Sequence, residues 1–464
     1  MIGRKNELNM LETKFKSSYF EFFIMYGRRR VGKTTILQTF VKEKNALLFL
    51  CKERNDELNL EEFSLALQRH FDGTPVAPFP SWQDALDYID RKVGDQRFLL
   101  VFDEFPFLAE ENSSIKSILQ HHIDQSWKYR NIMLVLCGSN VRFMLKEVMG
   151  GSSPLYGRNT GSWEVKPFDY LDASLFFPGY SPEECLIAYG ILGGIPRYLI
   201  EFDSSKSIQE NIRDKILEDG CFLRDEPISF LRMEVREPAL YNSIMQAVSK
   251  GHNRITTISE YIHRENTGCA PYLSVLQAVR LLKKVSPCGM SEDGKKSIYM
   301  ISDNFYRFWY RFVFSRESYN MLLGPEDAST EIMTQINDYM GPVFEEISCE
   351  YMARAAKARK LPFVPAHIGK WWGNNPAIRQ QDDVDVLAID ITGKRGLFCE
   401  CKFQNKPMPM EEYDVLVTAA KAFPAITQPE FYFISKSGYT DPVIQRAKKE
   451  SARLLMLDDL FQKV

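Results

Sequence analysis

Residues 27–35 read G-R-R-R-V-G-K-T-T and match the G-x-x-x-x-G-K-[ST] spacing of a phosphate-binding loop. An apolar run, 22–25, precedes this stretch and a helix-like segment, 36–42, follows it, which is the strand-loop-helix context that such a loop requires. Gly27 and Gly32 let backbone N–H groups come close to an anion. The spacing predicts that Lys33 reaches the β- and γ-phosphates, that Thr34 ligates Mg²⁺ and that Thr35 lies beside the α-phosphate. A chance match in a Gly/Lys loop is the alternative.

The sequence around this loop predicts a parallel β-sheet. Short apolar runs alternate with amphipathic segments over residues 1–165, as in sheets that carry helices on both faces. The predicted strands are 19–25, 46–51, 97–102, 131–137 and 163–166. The run 98–102 is continuously apolar and ends in Asp103-Glu104, at the edge where the phosphate loop also opens. We therefore expect Asp103 to hold Mg²⁺ through water and Glu104 to act as the base that polarises the attacking water. A solvated strand end is the alternative.

Further polar residues follow these elements. Ser139 and Asn140 end the strand 131–137 and could contact the γ-phosphate or hold the water, or they could cap a helix. Arg158 closes the stretch S-P-L-Y-G-R and is a candidate arginine finger, with a surface arginine as the alternative. Residues 28–30 are three arginines, which we expect to face solvent or a neighbouring domain because such loops bind phosphate through backbone N–H groups.

Length and composition set limits on the function. The 464 residues allow two to four domains, and the net charge of −3 gives no general attraction to nucleic acid, so such binding would need a local patch. The nine cysteines are scattered without a C-x-x-C pair, which predicts reduced thiols in a cytoplasm. We expect no membrane segment, since no early apolar run approaches ~18 residues, and no secretion signal.

Six motifs together resemble a known family. They are Ile2-Gly3-Arg4 with Glu7-Leu8, the phosphate loop, L-L-V-F-D-E at 99–104, L-C-G-S at 136–139, S-P-L-Y-G-R at 153–158 and G-G-I-P-R-Y at 193–198. Their order resembles that of prokaryotic and archaeal ATPases related to the AAA+ and STAND classes. The resemblance implies ATP and Mg²⁺ as cofactors, Arg4 near the adenine, and a helical lid whose Arg197 approaches the nucleotide.

Residues 236–305 have the element order of a winged helix. Helices are predicted at 240–248, 258–263 and 272–285, followed by strands 285–288 and 297–301 around a turn at 291–296. In the DNA-reading form the third helix enters the major groove. The positive charge is sparse and consists of Arg280, Lys283, Lys284, Lys295 and Lys296. Direct DNA binding and a structural or regulatory role both remain open. The aromatic run 305–314 predicts a buried helix rather than a base-stacking platform.

A second candidate site lies near the carboxyl terminus. Strands are predicted at 384–389 and 397–403, and Asp385 and Glu400 are equidistant from the turn at Thr392-Gly393, so a symmetric hairpin pairs them directly. The period of two places Lys402 on their face. Opposed carboxylates repel and favour a cation, so Mg²⁺ with Lys402 would suit phosphodiester hydrolysis. A structural hairpin is the alternative.

These residues resemble the D-(x)n-E-x-K core of PD-(D/E)xK nucleases. The wider stretch from Gly341 is similar to the DUF234-like domain that is often fused to this ATPase class. The resemblance implies a third metal-binding acid on the helix that contains Phe344-Glu345-Glu346, with Glu345 preferred over Glu346. Asp383 departs from the pattern, because the family often has Glu at that position, and no proline precedes Asp385.

The predicted fold class is α/β, with four domains: a P-loop ATPase core at 1–165, a helical lid at 166–235, a winged helix at 236–305 and a restriction-endonuclease-like α/β domain at 306–464. The predicted function is an Mg²⁺-dependent, cytoplasmic ATPase that couples nucleotide state to DNA binding or processing. The alternative is a regulatory or signalling ATPase whose carboxy-terminal domain binds a partner or nucleic acid without cleavage. The sequence leaves a homo-oligomer open.

Overall fold

The computed structural model describes residues 2–291, 294 and 296–462. The chain divides into two compact units, which we call the amino-terminal unit (Met1–Pro167 with Ile195–Arg197) and the carboxy-terminal unit (Phe168–Gly194 with Tyr198–Val464). The predicted wing residue Lys295 lies outside the described residues. None of the helices in the described part of the chain is both long and apolar enough to cross a bilayer.

The amino-terminal unit is built on a five-stranded parallel sheet. Its strand order is β2-β3-β4-β1-β5, with β1 Glu21–Tyr26, β2 Ala46–Leu50, β3 Phe98–Asp103, β4 Ile132–Gly138 and β5 Gly161–Glu164. All five predicted strands are confirmed, each shifted by one or two residues. Every residue of β3 and β4 is buried, as expected for strands that helices cover on both faces. The helices are α1 Lys5–Phe15, α2 Lys33–Phe40, α3 Asp56–Asp72, α4 Trp82–Lys92, α5 Phe105–Glu111, α6 Ile115–Gln125 and α7 Val141–Phe143.

The register of the sheet brings three chain segments to one edge. Tyr26 at the end of β1 is level with Gly138 at the end of β4, and Phe102 of β3 is level with Leu136 of β4. The phosphate loop after β1, the acids that end β3 and the serine that follows β4 therefore meet at the carboxyl edge of the sheet.

The carboxy-terminal unit begins with helices and ends with a second sheet. Between the two units the chain forms α10 Pro196–Leu199. The helices of this unit are α8 Tyr170–Ser174, α9 Pro182–Leu192, α11 Ile208–Ile212, α12 Phe222–Glu234, α13 Pro238–Ser249, α14 Ile255–Tyr261, α15 Asn266–Ala278, α16 Asn304–Phe312, α17 Glu317–Thr334, α18 Ile336–Lys357, α19 Met410–Ala420 and α20 Asp441–Glu450. Six aromatic residues of α16 are buried, which confirms the prediction of a buried aromatic helix.

Helices α13, α14 and α15 are followed by an antiparallel hairpin of β6 Leu282–Val285 and β7 Ile298–Ile301. The predicted third helix was wrong at both ends. It begins earlier, at Asn266, so that Thr267-Gly268 lies inside it and not in a turn, and it ends at Ala278. Lys283 and Lys284 are therefore strand residues and do not extend the helix. The helix ends early because the next residues pair as a strand. Leu282 is level with Ile301 and Val285 with Ile298, and a longer helix would lose the backbone hydrogen bonds of this antiparallel pair.

The second sheet has the order β12-β11-β10-β9-β8, with β8 Pro365–Asn375, β9 Gln380–Asp390, β10 Arg395–Lys402, β11 Gln428–Ser435 and β12 Arg453–Met456. Strand β9 pairs antiparallel with β8 on one side and with β10 on the other. Strand β11 pairs parallel with β10 on one side and with β12 on the other. Cys399 is level with Val386, which confirms the predicted symmetric register of the β9-β10 hairpin. Leu387, Phe398, Tyr413 and Leu416 belong to one core between this hairpin and α19.

Candidate functional site

The phosphate loop has the backbone geometry that its glycines predict. Gly27 has φ +155°, and a Cβ there would lie 2.4 Å from the carbonyl oxygen of Val165, which is closer than any side chain permits. Gly32 has φ +95° directly before α2. Lys33 is 4% exposed, and its Nζ donates to the carbonyl oxygens of Gly27 at 2.9 Å and Arg28 at 3.1 Å. Two neutral carbonyl oxygens thus hold the Lys33 ammonium group at the loop. A bound phosphate would compete with them for this group, because an anion attracts the ammonium charge more strongly than a carbonyl does.

A hydroxyl and a carboxylate meet beside the loop. Thr34 Oγ1 donates to Asp103 Oδ2 at 2.7 Å, and Asp103 Oδ1 accepts from the N–H of Glu104 at 3.0 Å. Asp103 is 1% exposed, so its charge needs partners of this kind. Hard oxygen donors next to a phosphate site are what Mg²⁺ prefers. The residues present therefore fit an Mg²⁺ ion held by Thr34 and Asp103.

Glu104 has an unusual backbone conformation. Its φ of 52° and ψ of 43° lie in the left-handed region, which is strained for a residue with a Cβ. Its carboxylate Oε2 accepts from Ser139 N at 3.0 Å and from Ser139 Oγ at 2.7 Å. Asn140 has a different task, because its side chain caps α7 by accepting from Phe143 N. Asn140 thus makes the predicted helix cap, whereas the predicted contact of Ser139 with the γ-phosphate or the water stays a prediction.

Two arginines from distant parts of the chain lie at or near the loop. Arg4 is 5% exposed and donates to the carbonyl oxygens of Val31 at 2.7 Å and Lys166 at 2.9 Å, so it fixes the chain before α1 to the loop. Arg197 follows Pro196, whose Cγ is 3.9 Å from the place of a Cβ on Gly32. The predicted nucleotide contacts of Arg4 and Arg197 stay predictions, as does that of Thr35, which lies exposed on the first turn of α2.

The structure does not bring Arg158 to the phosphate loop. It precedes β5 at the amino edge of the sheet, where Thr160 N donates to the carbonyl oxygen of Phe22 near the start of β1. Its guanidinium donates to both carboxylate oxygens of Asp124 on α6, at 2.9 and 2.7 Å. The role of Arg158 as an arginine finger therefore stays a prediction, and in this structure its guanidinium is paired with Asp124. Of the arginines at 28–30, Arg28 is 6% exposed and so does not face solvent.

In the second sheet, the predicted acids are close together and buried. Asp385 and Glu400 are each 7% exposed, and Asp385 Oδ2 accepts from the N–H of Cys401 at 2.9 Å. Lys402 Nζ lies 2.7 Å from Glu400 Oε1 and 3.1 Å from Glu412 Oε2 on α19. Glu412 was not predicted, because no sequence pattern relates the first turn of α19 to the end of β10.

A second lysine, Lys370 of β8, also contacts these acids. Lys370 Nζ forms a short ion pair with Glu345 on α18 and lies 3.3 Å from Asp383 and 3.5 Å from Asp385. Sequence reasoning missed this role of Lys370, because it depends on a register shift between Gly369 and Trp371 that puts Lys370 opposite Asp385-Val386.

The structure also separates the two neighbouring glutamates of α18. Glu345 lies at the acid cluster, whereas Glu346 pairs with Lys283 at 2.8 Å and Arg307 at 2.6 Å. The preference for Glu345 over Glu346 as the third acid thus agrees with where the two side chains lie.

The electrostatics of this cluster favour an added positive charge. Burial and the nearby Asp385 raise the pKa of Glu345 to about 7, and the same two causes raise the pKa of Glu400 to about 8. Burial also raises the pKa of Asp385. The donor set fits a divalent cation, although Lys370 lies among these carboxylates and would have to move aside for one.

Among the described residues, one group brings three metal-ligand atoms within 4.8 Å of one another, and it is elsewhere: Asp87, Asp90 and His122. There, Asp90 and Gln83 already hydrogen-bond the two nitrogens of His122. These contacts account for the group as a buried hydrogen-bond network between α4 and α6.

Comparison with known proteins shows the family to which the chain belongs. Residues 1–202 match a family described as an ATPase domain predominantly from Archaea, and residues 309–415 match one described as archaeal and bacterial proteins of unknown function. An uncharacterised protein of Methanocaldococcus jannaschii is 30% identical over 406 residues, which cover 87% of this chain and 88% of the relative. The chain belongs to the family of this archaeal protein. With its ATPase domain, this family member is an ATPase.

Two further similarities concern the ATPase domain and the fold. An uncharacterised ATP-binding protein of Methanocaldococcus jannaschii is 44% identical over 43 residues, which are 9% of this chain and 73% of that protein. A Walker-type ATPase of Pyrococcus abyssi has a TM-score of 0.51 at 22% identity, covering 67% of this chain and 96% of that one. At this identity the likeness is one of fold, and it agrees with the five-stranded parallel sheet of the amino-terminal unit.

Proposed function

We propose that this ATPase uses its nucleotide state to control the binding or processing of DNA by its carboxy-terminal unit. The observation that carries the proposal is the cluster of Glu345, Asp385, Glu400 and Lys402, because buried acids with a lysine on a hairpin of this register suit phosphodiester chemistry. The chain would then hold two phosphate-handling sites, one that hydrolyses ATP and one that acts on a nucleic-acid strand.

At the first site, the chain's own residues supply most of the catalysis. The loop N–H groups and Lys33 bind the phosphates, while Glu104, held by Ser139, accepts the proton of the attacking water. Thr34 and Asp103 would hold Mg²⁺, which neutralises phosphate charge when it is bound. Arg197 is the proposed contact from the helical lid.

Two substitutions test this assignment. Lys33→Ala should abolish ATP turnover by removing the cation at the phosphates. Glu104→Gln should abolish turnover while ATP still binds, because an amide cannot take a proton yet keeps the shape of the side chain. Turnover that survives both substitutions would end the assignment.

At the second site, we propose that Asp385 and Glu345 bind a divalent cation with Glu400, and that Lys402 orients a water molecule or stabilises the developing oxyanion. The helices α13–α15 with the hairpin β6-β7 would be a winged helix. Its positive surface is smaller than the sequence suggests, because Lys283 is engaged by Glu346. The exposed wing residue Lys296 is the candidate for direct DNA contact. The nine free cysteines fit the proposed reducing, cytoplasmic setting.

A plasmid-nicking assay with Mg²⁺ or Mn²⁺ tests the nuclease half. The wild type should nick DNA, and Asp385→Ala, Lys402→Ala and Glu412→Ala should each reduce the rate. Glu411→Ala is the matched control, since Glu411 is exposed on the same helical turn as Glu412 and no ion pair is recorded for it in the described structure. Equal cleavage by wild type and Asp385→Ala, or none by any protein, would remove the nuclease assignment.

A second candidate function is supported by one specific observation. Both lysines of the cluster are already paired with carboxylates, and Glu345, Asp385 and Glu400 do not converge within 4.8 Å in the described structure. This arrangement favours a regulatory ATPase whose carboxy-terminal unit binds nucleic acid or a partner without cleavage. DNA affinity that falls with salt, combined with no nicking, is the result that this second function predicts.

A further inference from the structure

A cavity of about 490 Å³ lies within the carboxy-terminal unit, beside the proposed metal site. Glu345, Lys370 and Asp385 line one side of it, and residues of the β6-β7 hairpin line the opposite side. The volume is in the range of sites that enclose one small ligand. Part of the acid cluster, Glu345 and Asp385, therefore faces this cavity.

The hairpin wall is fixed to the sheet at the site itself. Cys288 N, just after β6, donates to the carbonyl oxygen of Lys370 at 2.9 Å, and Cys288 Sγ lies 3.2 Å from the carbonyl oxygen of Leu387. Lys283 on β6 forms its ion pair with Glu346, which is adjacent to Glu345 on α18. Lys370 therefore contacts both parts of the cavity lining. Its side chain pairs with Glu345 and Asp385, and its carbonyl oxygen accepts the hydrogen bond from the β6-β7 segment.

The lining divides into an apolar part and a cationic part. Ile298, Met300 and the half-buried Trp372 provide apolar and aromatic surface. Arg254, at the start of α14, is exposed and brings a guanidinium group to the same cavity. A flat apolar slot next to a cation and a carboxylate site matches the base, the phosphate and the cleavable bond of one nucleotide.

We propose that this cavity accepts a single nucleotide unit, so that the second site acts on single strands or frayed ends and excludes paired bases. Its base lies against Trp372 and Met300, and its phosphate faces Arg254 and Lys370. A base pair within a stack cannot enter a space of this size, and enzymes that work in such pockets take the nucleotide out of the stack. Stacking on an aromatic ring tolerates any base, so the site needs no sequence preference.

The inference rests on the proposed phosphodiester function. In that reaction the oxygen of a water molecule bonds to phosphorus and gives up one proton, while the bond from phosphorus to the leaving oxygen breaks and the leaving oxygen takes up one proton. The cavity determines which phosphorus is presented, because only a nucleotide whose base has entered the slot places its phosphate beside Asp385.

Binding of thymidine monophosphate tests the cavity without cleavage. Calorimetry is done in EDTA on the full chain carrying Lys33→Ala, so that neither metal nor the ATP site contributes. Trp372→Ala, and Met300→Trp, which fills the slot, should weaken binding at least tenfold. Trp372→Phe should retain binding, and Ile391→Trp at an exposed turn is the control of equal bulk. Affinity that is unchanged in both Trp372→Ala and Met300→Trp overturns the inference.

A cleavage comparison separates this inference from the nuclease proposal. With Mn²⁺, the single strand should be cut at least tenfold faster than a blunt duplex of the same sequence, and Met300→Trp should abolish that cutting. If no substrate is cut while monophosphate binding follows the variants, the nuclease proposal falls and the nucleotide cavity stands. The cavity inference falls if cutting requires Asp385 but its rate is unchanged by Trp372→Ala and Met300→Trp. It also falls if the duplex is cut as fast as the single strand.

Discussion

Among single residues, Glu104, the proposed base, combines a strained backbone with a carboxylate that Ser139 holds. Its left-handed backbone costs of order 1–3 kcal/mol, which the surrounding contacts must offset. Two hydrogen bonds from Ser139 hold its carboxylate at the carboxyl edge of the sheet. The strained backbone and the two hydrogen bonds from Ser139 together fix the direction of the Glu104 carboxylate.

Ser139→Ala should lower kcat for ATP hydrolysis about tenfold, which equals about 1.4 kcal/mol, with little change in nucleotide affinity. The reason is that Glu104 loses the hydroxyl donor and keeps only the Ser139 N–H. Steady-state kinetics with a nucleotide-binding measurement checks this. Asn140→Ala is the neighbouring control, since Asn140 only caps α7. An equal loss in both variants would show that Ser139 supports the loop and not Glu104.

At the scale of elements, Glu346 connects three of them. From α18 its carboxylate reaches Lys283 on β6 and Arg307 on α16. Burial opposes the charge on Glu346, but Arg307 and Lys283 outweigh it and lower its pKa to about 2. An acid whose pKa is lower in the folded state than in the unfolded state stabilises the fold above its unfolded pKa, here about 4.5, and this contribution is lost as pH falls toward about 2.

Glu346→Gln should therefore reduce the free energy of unfolding by about 1–3 kcal/mol at pH 7, because it leaves two cations with a neutral partner. Thermal denaturation at several pH values checks this, and the difference from wild type should shrink between pH about 4.5 and about 2. Asp414→Asn removes the mostly exposed ion pair with Arg446 and should cost less than about 1 kcal/mol. A gap that is constant across pH would contradict the ion-pair explanation.

For the whole molecule, the division of the chain into two compact units predicts two separate responses to nucleotide. ADP should stabilise the amino-terminal unit alone, by about 2.7 kcal/mol at a hundred times its Kd, which is roughly 5–10 °C in that unit's midpoint. Scanning calorimetry should show two transitions, one of which moves with ADP. In Lys33→Ala neither transition should move. A shift that persists in Lys33→Ala would place the nucleotide away from the phosphate loop.

Features that depend on spacing along the chain could be predicted from the amino-acid pattern. The phosphate loop, the five strands of the first sheet and the symmetric register that pairs Asp385 with Glu400 were predictable, because glycine geometry and strand period act locally. The limits of the third helix were not, since Leu282 and Val285 gain partners only when β7 folds back on them.

Contacts between side chains that are far apart in the chain depend on how the elements pack. Ser139 with Glu104, Lys370 with Glu345 and Arg158 with Asp124 each join segments that no periodicity relates. The cavity beside Asp385 is likewise lined by the β6-β7 hairpin and the second sheet together. The physical reason is that spacing fixes the face on which a residue lies, whereas packing fixes what that face contacts.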